Sequence, residues 1–396
     1  MAIDGGRPFF EAPRVTGTPN NIDRAAVYAR LDEMFDSNRL TNNGPLVREL
    51  EERLAALLGV GDVVAVTNGT MALLIASVGL GARGDVLVPS WTFAGTVQPL
   101  VWAGLRPRFV DTDPRTHLVD PEVLAAAATD EVGLIVPVHL WGRPCEADRI
   151  DAVAADIGCP VLYDAAHAFG AAYRGTPIGN FGDAEIFSFH ATKWMTCIEG
   201  GAIATNDGDL AQRCRRLRNF GFAGEGDIPL NGINAKMSEL HAAVGLCQIR
   251  RFGELRHIHR ERQDAYRSCL EGHDRIRLVT SQDAARSPNG YVIVEVDAPV
   301  PDPARAVQLM LEGERVLVRR YFAPGVHRLA AFERFADDVT LPVTDELSRR
   351  CVALPTGEAV TIEDVVAISG LLLQAVDRLW ADPRIDLVPG FAETRA

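Results

Sequence analysis

The sequence contains lysine at only two positions, Lys193 and Lys236, among its 40 Lys and Arg residues. A guanidinium stays protonated at any ordinary pH, whereas a lysine ammonium loses its proton when it is desolvated or lies near another cation. A neutral amine can attack a carbonyl carbon to form a Schiff base, and it can carry protons. Lys193, in SFHATKWMTCIEGG (188–201), is a candidate for this chemistry. A drift of composition toward arginine would also leave two lysines, so the residues around Lys193 must decide.

Other residues that could do chemistry follow predicted strands. TNGTMAL (67–73) runs from a strand into a helix, and the free N–H groups of a helix start suit a phosphate. Many α/β proteins turn this way only to connect elements. Asp164, in YDAAHAFGA (163–171), could keep a heteroaromatic nitrogen protonated or could simply cap the next helix. Ser188 ends another predicted strand, five residues before the lysine.

Together these groups match the needs of one cofactor. A phosphate-binding turn, a strand-end Asp, a Ser and a Lys follow one another along the chain. Pyridoxal phosphate needs a phosphate site, an acid for its pyridinium nitrogen and a lysine for the Schiff base. The order and placement of these residues therefore predict a pyridoxal phosphate site.

The elements that must position these residues alternate between strands and helices over about the first 210 residues. The predicted strands are VVAVT (63–67), DVLVPS (85–90), RPRFVDTD (106–113), GLIVPVHL (133–140), PVLYDAA (160–166), AEIFSFH (184–190) and GAIATN (201–206). The helix candidates between them are NGTMALLIASVGL, FAGTVQPLVWAG, DPEVLAAAATD, EADRIDAVAADIG and DGDLAQRCRRLRNF. Near-continuous apolar strands that alternate with helices predict an α/β fold, with a mostly parallel sheet covered by helices. Ligands bind such sheets at the carboxyl ends of the strands.

The rest of the chain predicts a second, smaller unit. Segment 234–272 has apolar residues at helical spacing and predicts one long helix, or two helices broken near Gly253. The strand and helix patterns that follow predict a smaller α+β domain. The sequence therefore predicts a large domain at 1–255, with an N-terminal arm, and a small C-terminal domain at 256–396.

Composition excludes several classes of protein. A formal charge of −13 without a basic tract argues against nucleic-acid binding. Seven cysteines without a CxxC pair predict reduced thiols rather than disulfides or a zinc site. The carboxylates of DTDP (111–114) and the histidines of RHIHRER (256–262) are better explained by a turn and a solvated helix face, so no metal is predicted. Without a signal peptide or a membrane-length apolar run, we expect a cytoplasmic protein that does not associate with membranes.

The motifs resemble those of the DegT/DnrJ/EryC1/StrS family of sugar aminotransferases, over nearly the whole chain. The stretches that carry the resemblance are LTNNGPLVRELEERLA (40–55), TNGTMAL, PSWTFAGTVQPLVWAGLRPRFVDTDP (89–114), YDAAHA, SFHATKWMTCIEGGAIAT, LRNFGFAG (217–224), NGINAKMSELHAAVGL (231–246) and RRYFAPGVHR (319–328). The resemblance implies the fold-type I architecture of aspartate aminotransferase, a large domain followed by a smaller α+β domain.

The resemblance also implies roles for individual residues. Lys193 would form the Schiff base with pyridoxal phosphate, and Asp164 would pair with its pyridine nitrogen. The other implied cofactor contacts are the backbone at Thr70 and Met71 with the Ser188 hydroxyl for the phosphate, Phe93 stacked on the ring, His167 near its 3-oxygen, and Asn234 from the partner subunit. Substrate contacts are expected from Arg319, Arg320, Tyr321 and His327. Asn234 in this role implies a homodimer with composite active sites, whereas Lys236 is assigned no catalytic role.

The implied reaction transfers the amino group of L-glutamate, by way of pyridoxamine phosphate, to the keto carbon of a nucleotide-linked deoxysugar. RNFGFAG, NAKMSE and RRYFAPGVHR look most like the relatives that aminate C4 of dTDP-4-keto-6-deoxyhexoses in amino-sugar and antibiotic biosynthesis. The alternatives are a C3 aminotransferase, a dehydratase acting on a similar sugar nucleotide, and a non-catalytic regulator that binds pyridoxal phosphate. Dehydratases of the family carry His in place of the Schiff-base lysine, so Lys193 favours transamination.

Overall fold

Helices and strands alternate through the residues that the computed structural model describes, which are 5–280, 287–336 and 339–384. The helices are α1 (Arg24–Ser37), α2 (Pro45–Leu58), α3 (Gly69–Gly79), α4 (Ala94–Trp102), α5 (Pro121–Ala127), α6 (Ala147–Ile157), α7 (Gly208–Leu217), α8 (Glu239–Arg250), α9 (Phe252–Leu270), α10 (Pro303–Gly313), α11 (Pro342–Arg350) and α12 (Ile362–Ala381). The strands are β1 (Arg14–Val15), β2 (Asp62–Val66), β3 (Asp85–Pro89), β4 (Arg106–Val110), β5 (Val132–Ile135), β6 (Leu162–Asp164), β7 (Ala172–Tyr173), β8 (Thr176–Pro177), β9 (Ala184–Ser188), β10 (Gly201–Thr205), β11 (Ile276–Val279), β12 (Val292–Val296), β13 (Val316–Leu317) and β14 (Cys351–Leu354).

A mostly parallel sheet occupies the centre of the first 205 residues. Its strands lie in the order β2-β10-β9-β6, and isolated bridges from β5 to residues near β6 continue the sheet through β5, β3 and β4. β10 is antiparallel to both neighbours, whereas β3 with β4, β3 with β5 and β6 with β9 are parallel pairs. The predicted α/β class and the seven predicted strands are thereby confirmed.

Helices bury both faces of this sheet, which explains why its strands are mostly apolar, although β9 carries the buried Glu185. On β2, Val63 and Ala65 pack in a core with α2 and α8, and Val64 and Val66 pack in a second core with α3, α4 and α7. Successive strand residues point to opposite faces, so a strand covered on both sides has apolar residues at most positions rather than at alternate ones. Each fully buried aliphatic side chain contributes about 1.5–3 kcal/mol. The two layers therefore fix the strand ends from which the candidate site residues emerge.

The C-terminal part has its own sheet and core. β11, β12 and β14 form an antiparallel sheet, and side chains from α9, α10 and α12 complete its core. α8 and α9 meet at Arg251, so segment 234–272 contains two helices. This agrees with the predicted alternative of two helices broken near Gly253. Leu255 packs in the core of the large sheet, whereas Tyr266 and Leu270 pack in the C-terminal core. A domain boundary near residue 255 remains a proposal, and its outer limits at residues 1 and 396 lie outside the described ranges.

The N-terminal segment crosses to the C-terminal part. β1 pairs in parallel with β13, and Phe10 is buried in the C-terminal core. Farther along, the Asn20 side chain donates to the backbone oxygen of Trp194 at 2.7 Å. The segment therefore joins the small sheet to the turn that carries Lys193.

Polar contacts of His117 and Glu295 also join the two parts of the chain. His117 Nε2 lies 2.7 Å from Glu295 Oε1, and Trp141 Nε1 donates to His117 Nδ1 at 3.3 Å. His117, Glu295 and Cys351 bring potential ligand atoms within 4.8 Å of one another. Arg277 also donates to Glu295, so an ion pair accounts for this buried carboxylate. In the described part of the chain, no helix combines the length and apolarity needed to cross a membrane.

Candidate active site

A cleft of about 400 Å³ opens at the carboxyl ends of β3, β6 and β9, where the site residues were expected. Its volume falls within the range of about 300–1,000 Å³ that is common for small-molecule sites. Residues that follow these strands line one side, and Tyr291, Arg319 and Tyr321 from the C-terminal part line the other. The cleft thus lies between the two sheets, and both parts of the chain contribute to it.

Lys193 lies in the turn after β9 and presents its amine to this cleft. Its backbone N–H donates to the His190 oxygen at 2.9 Å, and its Nζ donates to Tyr291 Oη at 3.1 Å. Burial lowers the pKa of this amine to about 8, although the nearby Asp164 and Tyr321 act in the opposite direction. A substantial fraction of the amine is therefore neutral near physiological pH, as a nucleophile or proton carrier requires.

Asp164 ends β6 and is only 4% exposed. Its Oδ2 accepts from Thr96 Oγ1 at 2.7 Å, and its Oδ1 accepts from the Ala166 backbone N–H at 2.9 Å. Burial nevertheless raises the pKa of this carboxyl, and these donors and Lys193 oppose the shift only in part. A cation bound in the cleft would favour the ionised form. This is the environment that a pyridinium nitrogen needs as its partner.

The first turn of α3 faces the cleft beside Ser188. Asn68 caps the helix by accepting the Met71 N–H at 2.9 Å, while the Gly69 and Thr70 N–H groups precede the first intrahelical bonds. A Cβ at Gly69 would lie 3.0 Å from Ser188 Cβ, so glycine allows the helix start and the serine to approach closely. Backbone donors, a helix N-terminus and a hydroxyl thereby converge, which suits a phosphate. The cap occupies Met71 N–H, one of the two predicted backbone contacts.

Two rings predicted to contact the cofactor also line the cleft. Phe93 precedes α4 and is 62% exposed, an unusual exposure for a phenylalanine that faces a cleft. The His167 ring is stacked on Trp141 with centroids 5.8 Å apart, and burial lowers the pKa of His167 well below its usual value. His167 is therefore a neutral imidazole, in which one ring nitrogen donates a hydrogen bond and the other accepts one.

The structure separates the four expected substrate residues into two pairs. Arg319 and Tyr321 line the cleft, with the guanidinium 5.9 Å from the Tyr321 ring centroid. Arg320 does not line it, because its side chain pairs with Asp302 at 2.8 Å and donates to the Ser348 oxygen. His327 is 2% exposed, and its Nδ1 lies 2.6 Å from Ser90 Oγ, away from the cleft lining. Of these four residues, only Arg319 and Tyr321 line the cleft.

Asn234 lies outside the cleft lining of its own chain. It is exposed, its Oδ1 accepts from Lys236 Nζ at 2.6 Å, and its backbone bridges to Asn219. Lys236 Nζ in turn lies 4.8 Å from the ring centroid of Phe220. Asn234 therefore does not line the cleft of its own chain.

Sequence reasoning missed Tyr291, Thr96 and Trp141. Tyr291 contacts the lysine and Thr96 donates to Asp164, while Trp141 stacks on His167. No local motif marks Tyr291 or Trp141, because each is brought to the site by tertiary packing. Thr96 alone had a sequence signal, since it lies in the first turn of the helix that follows Phe93.

The model of one protein family matches residues 21–372, and its description reads "DegT/DnrJ/EryC1/StrS aminotransferase family". The chain belongs to this family. It is a sugar-nucleotide aminotransferase whose cofactor is pyridoxal phosphate.

Three relatives of this aminotransferase indicate the kind of substrate that the family uses. The chain is 33% identical over 346 residues to a dTDP-4-amino-4,6-dideoxy-D-glucose transaminase of Shigella dysenteriae, covering 87% of this chain and 94% of the relative. It resembles the crystal structure of DesI with its TDP-sugar product, at 43% identity and a TM-score of 0.90, over 97% of this chain and 99% of that one. A UDP-2-acetamido-2-deoxy-3-oxo-D-glucuronate aminotransferase of Pseudomonas aeruginosa is 37% identical over 214 residues, 53% of this chain and 60% of the relative.

The residues of this aminotransferase fit the cofactor. The Asp164 carboxyl is buried and its pKa is raised, the start of α3 approaches Ser188 through a glycine, and the Lys193 amine has a lowered pKa. These three features correspond to the pyridine nitrogen, the phosphate and the aldehyde carbon of pyridoxal phosphate. We therefore keep Lys193, Asp164, Ser188, Thr70, Phe93 and His167 as the proposed cofactor residues.

Proposed function

We propose that the protein transfers the amino group of L-glutamate to C4 of a dTDP-linked 4-keto-6-deoxysugar. The observation that carries this proposal is the likeness, over nearly the full length of each chain, to a dTDP-4-amino-4,6-dideoxy-D-glucose transaminase and to DesI, whose structure contains a TDP-sugar product. Arg319 at the rim of the cleft supports it, because both a nucleotide diphosphate and a glutamate carboxylate need a cation in a chain of charge −13.

Each residue of the cleft has a distinct part in this reaction. When bound, pyridoxal phosphate supplies an electron sink that stabilises a carbanion at the carbon bearing the amino group. Lys193 Nζ removes the proton from that carbon of glutamate and later returns a proton to the sugar carbon. Asp164 holds a proton on the pyridine nitrogen, and Thr96 and Ala166 orient its two carboxylate oxygens. The start of α3 and Ser188 anchor the phosphate, so the ring cannot drift away from the lysine.

The visible absorbance of the holoenzyme, with and without L-glutamate, tests the first half of this proposal. Glutamate should bleach the band of the lysine-bound cofactor and release 2-oxoglutarate, whereas D-glutamate serves as the matched control. Incubating the aminated enzyme with a panel of dTDP-keto sugars then tests the second half, and NMR of the product locates the new amine. An unchanged spectrum would contradict the proposed donor. An amine at a carbon other than C4 would contradict the proposed position.

The second candidate is amination at C3. The Pseudomonas aeruginosa relative, whose name specifies a 3-oxo sugar, supports it. That match covers 53% of this chain, whereas the match to the 4-amino transaminase covers 87%. The more extensive match therefore favours C4, and the same sugar panel distinguishes the two positions.

We also propose that the active unit is a homodimer in which Asn234 of one subunit reaches the cofactor phosphate of the other. Asn234 is exposed and lies outside its own cleft lining, as this arrangement requires. Large apolar side chains of the neighbouring loop are exposed as well, with Phe220 at 46%, Phe222 at 42% and Ile228 at 56%. Such a cluster favours a protein–protein contact. A second copy of this chain would bury the loop and bring Asn234 to a cleft.

A further inference from the structure

Tyr291 faces the amine of Lys193 from the opposite part of the chain. It immediately precedes β12 of the small sheet, and its hydroxyl oxygen lies 3.1 Å from Lys193 Nζ. Nζ also lies 5.8 Å from the centroid of the tyrosine ring. The hydrogen bond therefore spans the cleft between the two parts of the chain.

Packing holds the tyrosine in this position. Its ring centroid lies 4.3 Å from that of His167, 5.8 Å from Trp141 and 6.0 Å from Tyr321. The preceding residue is a glycine, and a Cβ there would come within 3.1 Å of Trp194 Cδ1. The backbone at Gly290, immediately before Tyr291, thus packs closely against the residue that follows Lys193. Three aromatic neighbours and this close approach fix the direction in which the hydroxyl points.

The charge of the tyrosine suits a partner of this amine. Asp164 and Tyr321 favour the charged amine, but burial outweighs them and lowers the pKa of Lys193 to about 8. Burial lowers the pKa of His167 and raises that of Tyr291, so both are neutral near pH 7. Arg319 opposes the shift of Tyr291 only in part. A neutral phenol can accept a hydrogen bond from an ammonium and donate one to a neutral amine, whereas a carboxylate would hold the amine in its charged form.

We propose that Tyr291 is a positioning residue for Lys193. Its hydroxyl holds the Lys193 amine in the cleft whenever that amine is not covalently bound to the cofactor. The proposal rests on the proposed role of Lys193 as the cofactor-bound lysine. It goes beyond that role, because it assigns the control of the free amine to a residue of the small sheet.

The unusual lysine content of the chain permits a direct test. Protein grown with lysine labelled with ¹³C at Cε contains only two labelled side chains, Lys193 and Lys236. Lys236→Arg assigns the two resonances. In enzyme loaded with pyridoxamine phosphate, the Lys193 amine is free, and its resonance should titrate below the midpoint of an exposed lysine, because burial lowers its pKa. In enzyme loaded with pyridoxal phosphate, the Lys193 resonance should not titrate as a free amine. Titration in both forms would refute the role of Lys193 as the cofactor-bound lysine, and the proposal for Tyr291 would fall with it.

Tyr291→Phe keeps the ring and removes the hydroxyl. Hydrogen bonds to charged groups are stronger than neutral ones, so the loss costs the ammonium more than the amine, and the Lys193 midpoint should fall by about one pH unit. The Lys236 midpoint should stay constant. Tyr266→Phe is the matched control, because it removes another buried tyrosine hydroxyl, which donates to the Pro355 oxygen at 2.9 Å, and should leave Lys193 unchanged. An unchanged Lys193 midpoint in Tyr291→Phe would overturn the proposal.

A second measurement does not depend on the folding of the Tyr291 variant. In the pyridoxamine phosphate form, the Lys193 ε-methylene protons should show a nuclear Overhauser effect to tyrosine ring protons. This effect should persist in Tyr321→Phe, which removes the hydroxyl of the other cleft tyrosine and replaces its ring signals. Loss of the effect in that variant would assign it to Tyr321 and overturn the role of Tyr291.

Discussion

Replacing Asp164 with Asn tests the charge at the base of the cleft. Asn has nearly the same shape, its oxygen can still accept from the Ala166 N–H, and its amide can donate to Thr96 Oγ1. The charge alone is lost. Asp164 is 4% exposed, so little water screens its pairing with a pyridinium. Removing one partner of a buried charge pair costs about 3–5 kcal/mol. At about 1.4 kcal/mol for each factor of ten, we expect kcat to fall roughly 10²- to 10⁴-fold.

Stopped-flow measurement of the glutamate half-reaction is the suitable assay, since it isolates the step at which the pyridinium matters. Thr96→Val is the matched control, because it removes one hydrogen bond to the same carboxylate but keeps the charge. The loss of one hydrogen bond to a charged group, about 1.5–3 kcal/mol, should slow the reaction roughly 10- to 150-fold, which is less than the loss of the charge itself. If Asp164→Asn retained more than about a tenth of the wild-type rate (~1.4 kcal/mol of barrier), Asp164 would be only a cap for the Ala166 N–H.

Asp164→Asn should slow the reaction, but it should stabilise the cofactor-free protein near neutral pH. Burial raises the pKa of Asp164 in the folded state, so its stabilising contribution is fully present below the unfolded pKa of about 3.9 and is lost as pH rises through the folded pKa. Asp164→Asn does not titrate. The free energy of unfolding of Asp164→Asn minus that of the wild type, measured by urea unfolding, should therefore be larger at pH 7 than at pH 4. An equal difference at both pH values would show that the buried carboxylate is not destabilised.

Three further predictions concern the remaining site residues. Lys193→Ala and Lys193→Arg should both abolish turnover while the folded proteins still bind the cofactor, because neither offers a neutral amine; measurable steady-state turnover in either would contradict the assignment. Mixing inactive Lys193→Ala and Asn234→Asp homodimers should restore part of the activity, since a composite site leaves one intact cleft in each mixed dimer, and no recovery after verified subunit exchange would exclude the arrangement. Arg319→Ala should raise the KM for the nucleotide sugar roughly tenfold or more, whereas Arg320→Ala should lower the Tm and leave KM unchanged, and equal effects on KM would refute the separation of the two arginines.

The strands of the large sheet could be predicted from sequence because they are apolar on both faces, but their ends could not. GLIVPVHL predicts a strand over 133–140, whereas β5 ends at Ile135. Pro137 has no N–H to donate to a neighbouring strand, and Val138 returns only as an isolated bridge to Asp164. Similarly, the helical spacing of 234–272 begins before the helix does. The backbone of 234–236 forms bridges to Asn219 and Val66, and Ser238 then caps α8.

The site could be predicted where one residue follows a strand end, as for Asp164, Ser188 and Lys193. It could not where neighbours in sequence face different ways. Arg319 bridges to Ala353 in extended backbone, so successive side chains alternate, and Arg320 turns away from the cleft to Asp302. Tyr291 was missed for a different reason, because its partner is 98 residues away along the chain. Only the packing of the two sheets brings them together.

The pairing of β1 with β13 constrains the order in which parts of the chain can fold during synthesis. The backbone N–H of Phe9 donates to the Glu314 carboxylate at a separation of 305 residues, so Phe9 waits for Glu314 to be synthesised before this contact can form. At ribosomal rates of about 5–20 residues per second, this wait lasts roughly 15 to 60 s. The large sheet, whose strands all lie before residue 206, can form during that time. The segment with β1 is therefore synthesised before the large sheet but pairs with β13 only after that sheet can have formed, and until then its apolar residues, Phe9 and Phe10 among them, are available to chaperones.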